Sequence, residues 1–555
     1  MRKFILTTVS VAALIAGGSA MAQDTSNNST VTQSGQFNLN ETNQNGSNAT
    51  SIVTQTGMGT NAIDKANRVG VTQGGVGAQS TVVQGGADRN EVEVVQFGAN
   101  TSLVTQTGTA SGAEVRQTGE GNDSVISQAG NSVQVGNALN SSASGVEQVG
   151  IGNTSNVDQD PSSFALANVN QYGEYNASSV RQEITEGPAG GANRSVADVM
   201  QNGANNDAGI TQTVRRADAS INQDGDSHLA TITQTGSEAI ASVVQDGFAN
   251  DAKVIQQDDA GGLAEVTQAG GENTASVNQT SVNSVADVSQ NGQRNNVDLA
   301  QGRSAGNNFQ TNGQQALITQ DGDDNEVLAT QSGSSGDLNV LQTGDRNLAD
   351  VVQSGFDNAA GDNTGMAGIT QSGNDGQAYV TQSGQLSVAF IDQIGDSNFA
   401  DINQSVNNAP NPAGGPDPSV VTASITQGGS DNSSTIDQFG GDATTSARLM
   451  TASSDQAGDG NTSTISQTNT LAALAASENS ATVTQDGNDN FSDVMQNGAG
   501  NMAMVNQFGD GNTSMLTQAG LDHSATVNQY GAGDMSTIDQ SGSFNSAIVT
   551  QGVAN

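Results

Sequence analysis

Amide and apolar residues alternate along this chain in a unit that returns every eleven residues. Glutamine recurs at Gln485, Gln496, Gln507, Gln518, Gln529, Gln540 and Gln551, and again at Gln201, Gln212, Gln223, Gln234, Gln245 and Gln256. Two places before each in the first run stands an aliphatic residue: Val483, Val494, Val505, Leu516, Val527, Ile538, Val549. Four places before comes Ala or Ser, as at Ser492, Ala503 and Ser514; six before is often Asn, as at Asn479, Asn490, Asn501, Asn512 and Asn545. Glycine follows most of the glutamines by two, as at Gly225, Gly247, Gly487 and Gly509. A fixed short period over so many copies is the mark of a repeat array.

The spacing carries its own geometry. Asn, Ala or Ser, Val and Gln are separated by two-residue steps, so on a β-strand all four side chains share one face. A helix would scatter them, since three such steps rotate it by about 600°. The remaining x-Gly-x-x stretch suits a turn, because glycine reaches positive φ without a Cβ clash. Each unit is therefore predicted to be a seven-residue strand of roughly 23 Å plus a four-residue arc. One such strand buries nothing alone. Two folded face to face make a rung, and rungs stacked about 4.8 Å apart make a two-sheet, all-β solenoid with about 22 residues per rung. About 45 strand units fit the chain, giving about 23 rungs in a stack near 110 Å tall. The strand-opening residues Asn250, Gly262, Asn273, Ser284 and Asn295 alternate between Asn and something smaller, as two unlike sheets require. That alternation fades toward the C-terminus.

Composition would otherwise suggest disorder. The 555 residues include 56 acidic and 15 basic side chains, for a formal charge of −41, with no Cys and no Trp. Little apolar surface is on offer to offset chain entropy. Stacking resolves the conflict, because a ladder of identical amides lets each Gln or Asn donate to one neighbour and accept from the other. The ladder is expected to comprise Asn490, Gln496, Asn501, Gln507, Asn512, Gln518, Gln529, Gln540 and Gln551, with Gln223, Gln234, Gln245 and Gln256 in the central block. An isolated buried Gln would instead cost a few kcal/mol.

Residues 1–22 read as a secretory signal: Arg2 and Lys3, an apolar stretch from Phe4 to Ala16, then Ala20-Met21-Ala22. Residues 23–403 and 427–555 carry the solenoid repeats. Between them lies a Pro-rich insertion, residues 404–426, holding Pro410, Pro412, Pro416 and Pro418, which cannot donate to a ladder. Smaller stretches of the period occur at Gln55 to Gln73, Gln353 to Gln371, Gln438 to Gln456 and Gln467 to Gln485. In a solenoid such additions are expected to leave the stack at an arc.

Catalytic chemistry is not expected. The two histidines, His228 and His523, each fall six residues before a ladder glutamine, in the slot Asn usually fills, and are read as substitutions within the ladder. Acidic arcs such as Asp321-Gly322-Asp323-Asp324-Asn325-Glu326 lack calcium-loop spacing and are read as solvated turn acids that discourage premature association. No cofactor or metal is expected, and scattered basic residues in an acidic chain argue against nucleic acid.

The run Asn490-Phe491-Ser492-Asp493-Val494-Met495-Gln496-Asn497-Gly498-Ala499-Gly500-Asn501-Met502-Ala503-Met504-Val505-Asn506-Gln507 closely resembles the curlin repeat, and the likeness extends over nearly the whole mature chain. The resemblance implies a structural subunit, not an enzyme. It would be secreted through the periplasm and polymerise on the bacterial surface into curli-like functional amyloid fibres for biofilm and adhesion. Implied partners are further copies of itself, head to tail, together with a nucleator subunit and an outer-membrane secretion pore. The chain is longer than short curlins, and the family's Ser is often Asn or Gly here. From the residues alone, exposed solenoid ends without a covering segment favour polymerisation. The alternative is a monomeric secreted β-solenoid adhesin that binds along its flank.

Overall fold

Apart from two interrupted units, each described strand is one repeat unit, and every second unit lies in the same sheet. The computed structural model describes residues 26–56, 67–86, 89–131, 134–135, 145–163, 165–183, 195–257, 261–302, 313–333, 336–356, 359–360, 368–406, 421–440, 450–469 and 478–552. The proposed signal and the centre of the Pro-rich insertion lie outside these residues. A first sheet of 21 strands begins at Asn28–Gln33 and ends at Met535–Ser543. The second begins at Asn38–Gln44 and ends at Ser546–Gln551. It matches the first rung for rung, with two strands interrupted (Gln134–Val135 with Val146–Ile151, and Ala359–Ala360 with Ile369–Ser372). The pairings given for the described strands are parallel and in register, as in Gln223↔Gln245 and Gln496↔Gln518, with one shift between Gln159 and Ser162. Among the described strands both sheets are open at both ends, so the stack is a solenoid about 100 Å tall at about 4.8 Å per rung. It is shorter than the expected 23 rungs because more residues go into connections.

The parity read from the sequence sets what is buried. Val505 is fully buried while Met504, one residue away, is 42% exposed. Val494 and Val527 are fully buried and Ile538 nearly so, whereas Val549, in the last rung, is only partly covered. A one-residue slip would turn each of these faces inside out, so the apolar columns fix the register.

The two edges of the stack are unlike. On the edge leading from the second sheet to the first, successive glutamines are ten or eleven residues apart throughout: Gln223 to Gln234, Gln393 to Gln404, Gln485 to Gln496. Each second-sheet glutamine that is followed by a further rung has glycine two places on, from Gly46 and Gly75 through Gly247 and Gly270 to Gly509 and Gly531. All the long additions fall on the opposite edge: Gln55 to Gln73, Gln182 to Gln201, Gln301 to Gln320, Gln404 to Gln427, Gln438 to Gln456. Across the longest, Phe399–Val406 and Val421–Gly428 each pair with the rungs before and after. This asymmetry also explains the Asn alternation: first-sheet strands follow the tight edge and are mostly opened by Asn, with Ala49, Ala78, His228, Gly376 and Asp534 as the exceptions.

Candidate functional site: the amide ladders and the stack ends

Two glutamine columns run the height of the stack, one per sheet. In the first, Gln496 Nε2 donates to Gln518 Oε1 at 2.9 Å and Gln518 to Gln540 at 2.9 Å. In the second, Gln507 donates to Gln529 and Gln529 to Gln551, both at 2.9 Å. The central block repeats this with Gln223 to Gln245 and Gln234 to Gln256, both 2.9 Å. Insertions leave the bond unchanged: Gln393 reaches Gln427 at 2.9 Å across the Pro-rich segment.

Most of these glutamines also have a second partner that the sequence did not suggest. The other Nε2–H crosses between the sheets to a backbone carbonyl, sixteen residues earlier where no insertion intervenes, as from Gln496 to Ser480 (2.9 Å), Gln507 to Phe491 (3.0 Å) and Gln256 to Ile240 (3.1 Å), and further back where one does, as from Gln485 to Thr462 (3.0 Å). One side chain thus ties rung to rung and sheet to sheet. Both amide hydrogens are used, which is what makes a fully buried glutamine tolerable.

The asparagines form a side-chain ladder only in places, as where Asn490 Nδ2 donates to Asn461 Oδ1 at 3.0 Å, and otherwise bind the backbone. Asn490 Oδ1 accepts the backbone N–H of Asn512 at 3.0 Å, and Asn479 Oδ1 that of Asn501 at 3.0 Å. Their Nδ2 groups reach arc carbonyls, as from Asn461 to Gly487 (2.8 Å) and from Asn501 to Gly520 (3.3 Å). They satisfy the turn backbone at both edges: Asn461 at the short-arc edge, Asn501 at the edge that bears the insertions.

Both histidines stand in these columns and reproduce the asparagine bond for bond. His228 Nδ1 accepts the Asn250 N–H at 3.3 Å and its Nε2 lies 3.2 Å from the Asp224 carbonyl. His523 does the same with the Asn545 N–H (3.3 Å) and the Ala519 carbonyl (3.2 Å). This arrangement needs the neutral, Nε2-protonated tautomer. Burial pushes the His228 pKa below its ordinary value, against partial opposition from the Asp224 carbonyl, Asp246 and Asp226. The neutral imidazole therefore supports the stack above about pH 6.5, and that support is lost as pH falls through the lowered folded-state value. We expect the Asn250 amide to exchange faster at pH 5 than at neutral pH, relative to the Asn295 amide, and His228→Asn to abolish the difference. Equal relative exchange at both pH values in the unaltered chain would refute this.

The acidic arcs are structural as well as solvated. Asp323 Oδ1 accepts the backbone N–H of Gln293 (2.8 Å), Asp345 that of Asp323 (3.0 Å), and Asp510 that of Asn488 (2.9 Å). Arg294 pairs with Asp324 at 2.6 Å and Arg346 with Asp375 at 2.7 Å, one rung apart on the exposed arc. Among the described residues no three His, Asp or Glu side chains gather as a metal site would require, and no helix is long and apolar enough to cross a membrane.

The ladder bonds have a direction, so the two end faces differ. Gln33 and Gln44 donate inward to Gln55 and Gln73 (2.6 and 2.8 Å), leaving Oε1 acceptors at their face. Gln540 and Gln551 accept from Gln518 and Gln529, leaving amide donors at theirs. The Gln33–Gln44 face is also more polar: Asn40 and Thr42 occupy the columns held by Val69 and Val71 in the next rung, and Asn40 Nδ2 bonds Thr42 Oγ1 at 3.2 Å. The opposite face offers Ile538, Ala547 and Val549.

Fold and ladders together define a cross-β solenoid of in-register amide columns. The curlin associated repeat matches residues 216–247, 344–384, 476–509 and 501–531, and over these segments the chain is similar to the curlin-repeat family, whose proteins are structural amyloid subunits. No curated protein matches the chain.

Proposed function

We propose that this protein is a secreted structural subunit that assembles head to tail into curli-like extracellular amyloid fibres of the biofilm matrix. The observation that carries this reading is the complementarity of the end faces: acceptors on one, donors on the other, each a parallel sheet edge unpaired among the described residues. Such a contact does not close on itself and generates a filament. A nucleator and an outer-membrane pore complete the proposal, in keeping with the family.

Acid should favour assembly. At −41 formal charge, copies repel one another, and protonation near pH 4 relieves this. The folded stack adds to the effect, because burial raises the carboxyl pKa of Asp218, Asp251, Asp392, Asp401 and Asp437. A raised carboxyl pKa means a stability contribution present below the unfolded value and lost as pH rises through the folded one. Asp324 and Asp375, held low by hydrogen bonds from Arg294 and Arg346, act in the opposite sense. Thioflavin kinetics with electron microscopy and fibre diffraction on the mature chain should show cross-β fibres. Growth should be several-fold faster at pH 4–5 than at pH 7, and preformed seeds should remove the lag. A protein that stays monomeric at acidic pH when seeded would be the adhesin instead.

A further inference from the structure

The first and last described rungs carry the same arc. Gln33-Ser34-Gly35-Gln36-Phe37-Asn38 is matched by Gln540-Ser541-Gly542-Ser543-Phe544-Asn545. The internal bond is also shared: Asn38 Nδ2 to the Ser34 carbonyl at 2.9 Å, and Asn545 Nδ2 to the Ser541 carbonyl at 2.7 Å. In both, the phenylalanine is left-handed, with φ of 57° for Phe37 and 61° for Phe544. That is a costly conformation for a bulky side chain. Both rings are exposed, 43% and 76%. In the rungs between, the same arc position holds residues such as Ala110, Arg216, Glu238, Leu386 and Asp522; among the described residues no other aromatic takes it. Phe164, seven residues before Gln171 as Phe37 is before Gln44, lies outside them.

We propose that Phe37 of one copy and Phe544 of the next form an aromatic clasp across the subunit junction of the fibre. This rests on the head-to-tail fibre reading and names the contact that holds its joints. Stacking the Gln33–Gln44 face on the Gln540–Gln551 face continues both glutamine columns, and it sets the two rings one rung, about 4.8 Å, apart. Aromatic residues so placed within the chain do stack: Phe508 and Tyr530, on adjacent rungs, have ring centroids 5.5 Å apart and planes within 5°. The clasp gives the polar Gln33–Gln44 face an apolar anchor, and it rewards only a parallel, in-register joint.

The test is seeded elongation and residual soluble concentration for the full mature chain and for Phe37→Ala, Phe544→Ala, the double variant and Leu386→Ala. Each terminal substitution should raise the residual soluble concentration about two- to tenfold, the range an aromatic pair contributes. The double variant should be no worse than either single one, and Leu386→Ala should match the unaltered chain. Phe37→Tyr and Phe544→Tyr, which keep the ring, should restore normal growth and so separate a lost clasp from a misfolded arc. Normal growth of the single variants, additive losses in the double, equal loss in Leu386→Ala or failure of the tyrosines to rescue would each overturn the clasp while leaving the fibre intact. An unaltered chain that never forms fibres would overturn both.

Discussion

Replacing Gly247 with alanine should split the stack at its rung, by about 3–5 kcal/mol. Gly247 has φ of 108°, and a Cβ there would lie 2.0 Å from the carbonyl oxygen of Gly270 in the next rung. Neither atom can yield, because that backbone belongs to the glycine column and is hydrogen-bonded above and below. Gly209 provides the contrast. It faces outward mid-strand, and an added methyl meets only the Thr231 Cγ2 at 3.6 Å, so Gly209→Ala should be neutral or slightly stabilising. A repeat stack need not unfold as one unit, so the readout is local: hydrogen exchange and limited proteolysis along the chain. New cleavage centred on residues 245–272 in Gly247→Ala, and none in Gly209→Ala, is the expected result. Protection in Gly247→Ala equal to that of the unaltered chain would show that the edge is softer than its contacts imply.

Gln245→Leu should cost about 2–5 kcal/mol although it replaces a polar side chain by an apolar one of similar size. Gln245 accepts from Gln223 (2.9 Å) and donates to Gln268 (2.8 Å) and to the Leu229 carbonyl across the sheets (2.9 Å). Leucine leaves the Gln223 donor and the Gln268 acceptor unpaired where no solvent reaches. Replacing Gln223, Gln245 and Gln268 together by leucine removes donors and acceptors as a group, and should cost less per residue than the single change. Hydrogen exchange of the three rungs would distinguish these outcomes. A single variant milder than one third of the triple would contradict the ladder account.

The strand positions were legible in the sequence because two simple periods coincide. Steps of two put Asn490, Ser492, Val494 and Gln496 on one face, and a period of eleven repeats that face; Val505 buried beside an exposed Met504 is the direct consequence. Less legible was what each buried polar group does once inside. That Gln496 also binds the Ser480 carbonyl depends on how the two sheets are offset, which no one-dimensional pattern states. Asp323 and Asp345 looked merely solvated because an arc side chain can turn either to water or to the rung below, and only the arc geometry decides. The difference between the edges was present in the spacing, but reading it requires each glutamine to be assigned to its sheet, and the insertions interrupt the count. Asn40 and Thr42 were missed because their unit keeps Gln44 and departs only at the apolar places.

One edge of this stack is built from four-residue glycine arcs, and every long addition to the chain is rooted on the other. In a filament of the proposed kind the copies share one orientation, so these roots fall along a single flank. The filament is then a ribbon with one margin of short arcs and one margin where every long addition is rooted. Two ribbons can meet closely along their short-arc margins. A foreign domain spliced between Val406 and Val421 would be rooted on the other margin at every subunit, leaving the short-arc margin free for pairing.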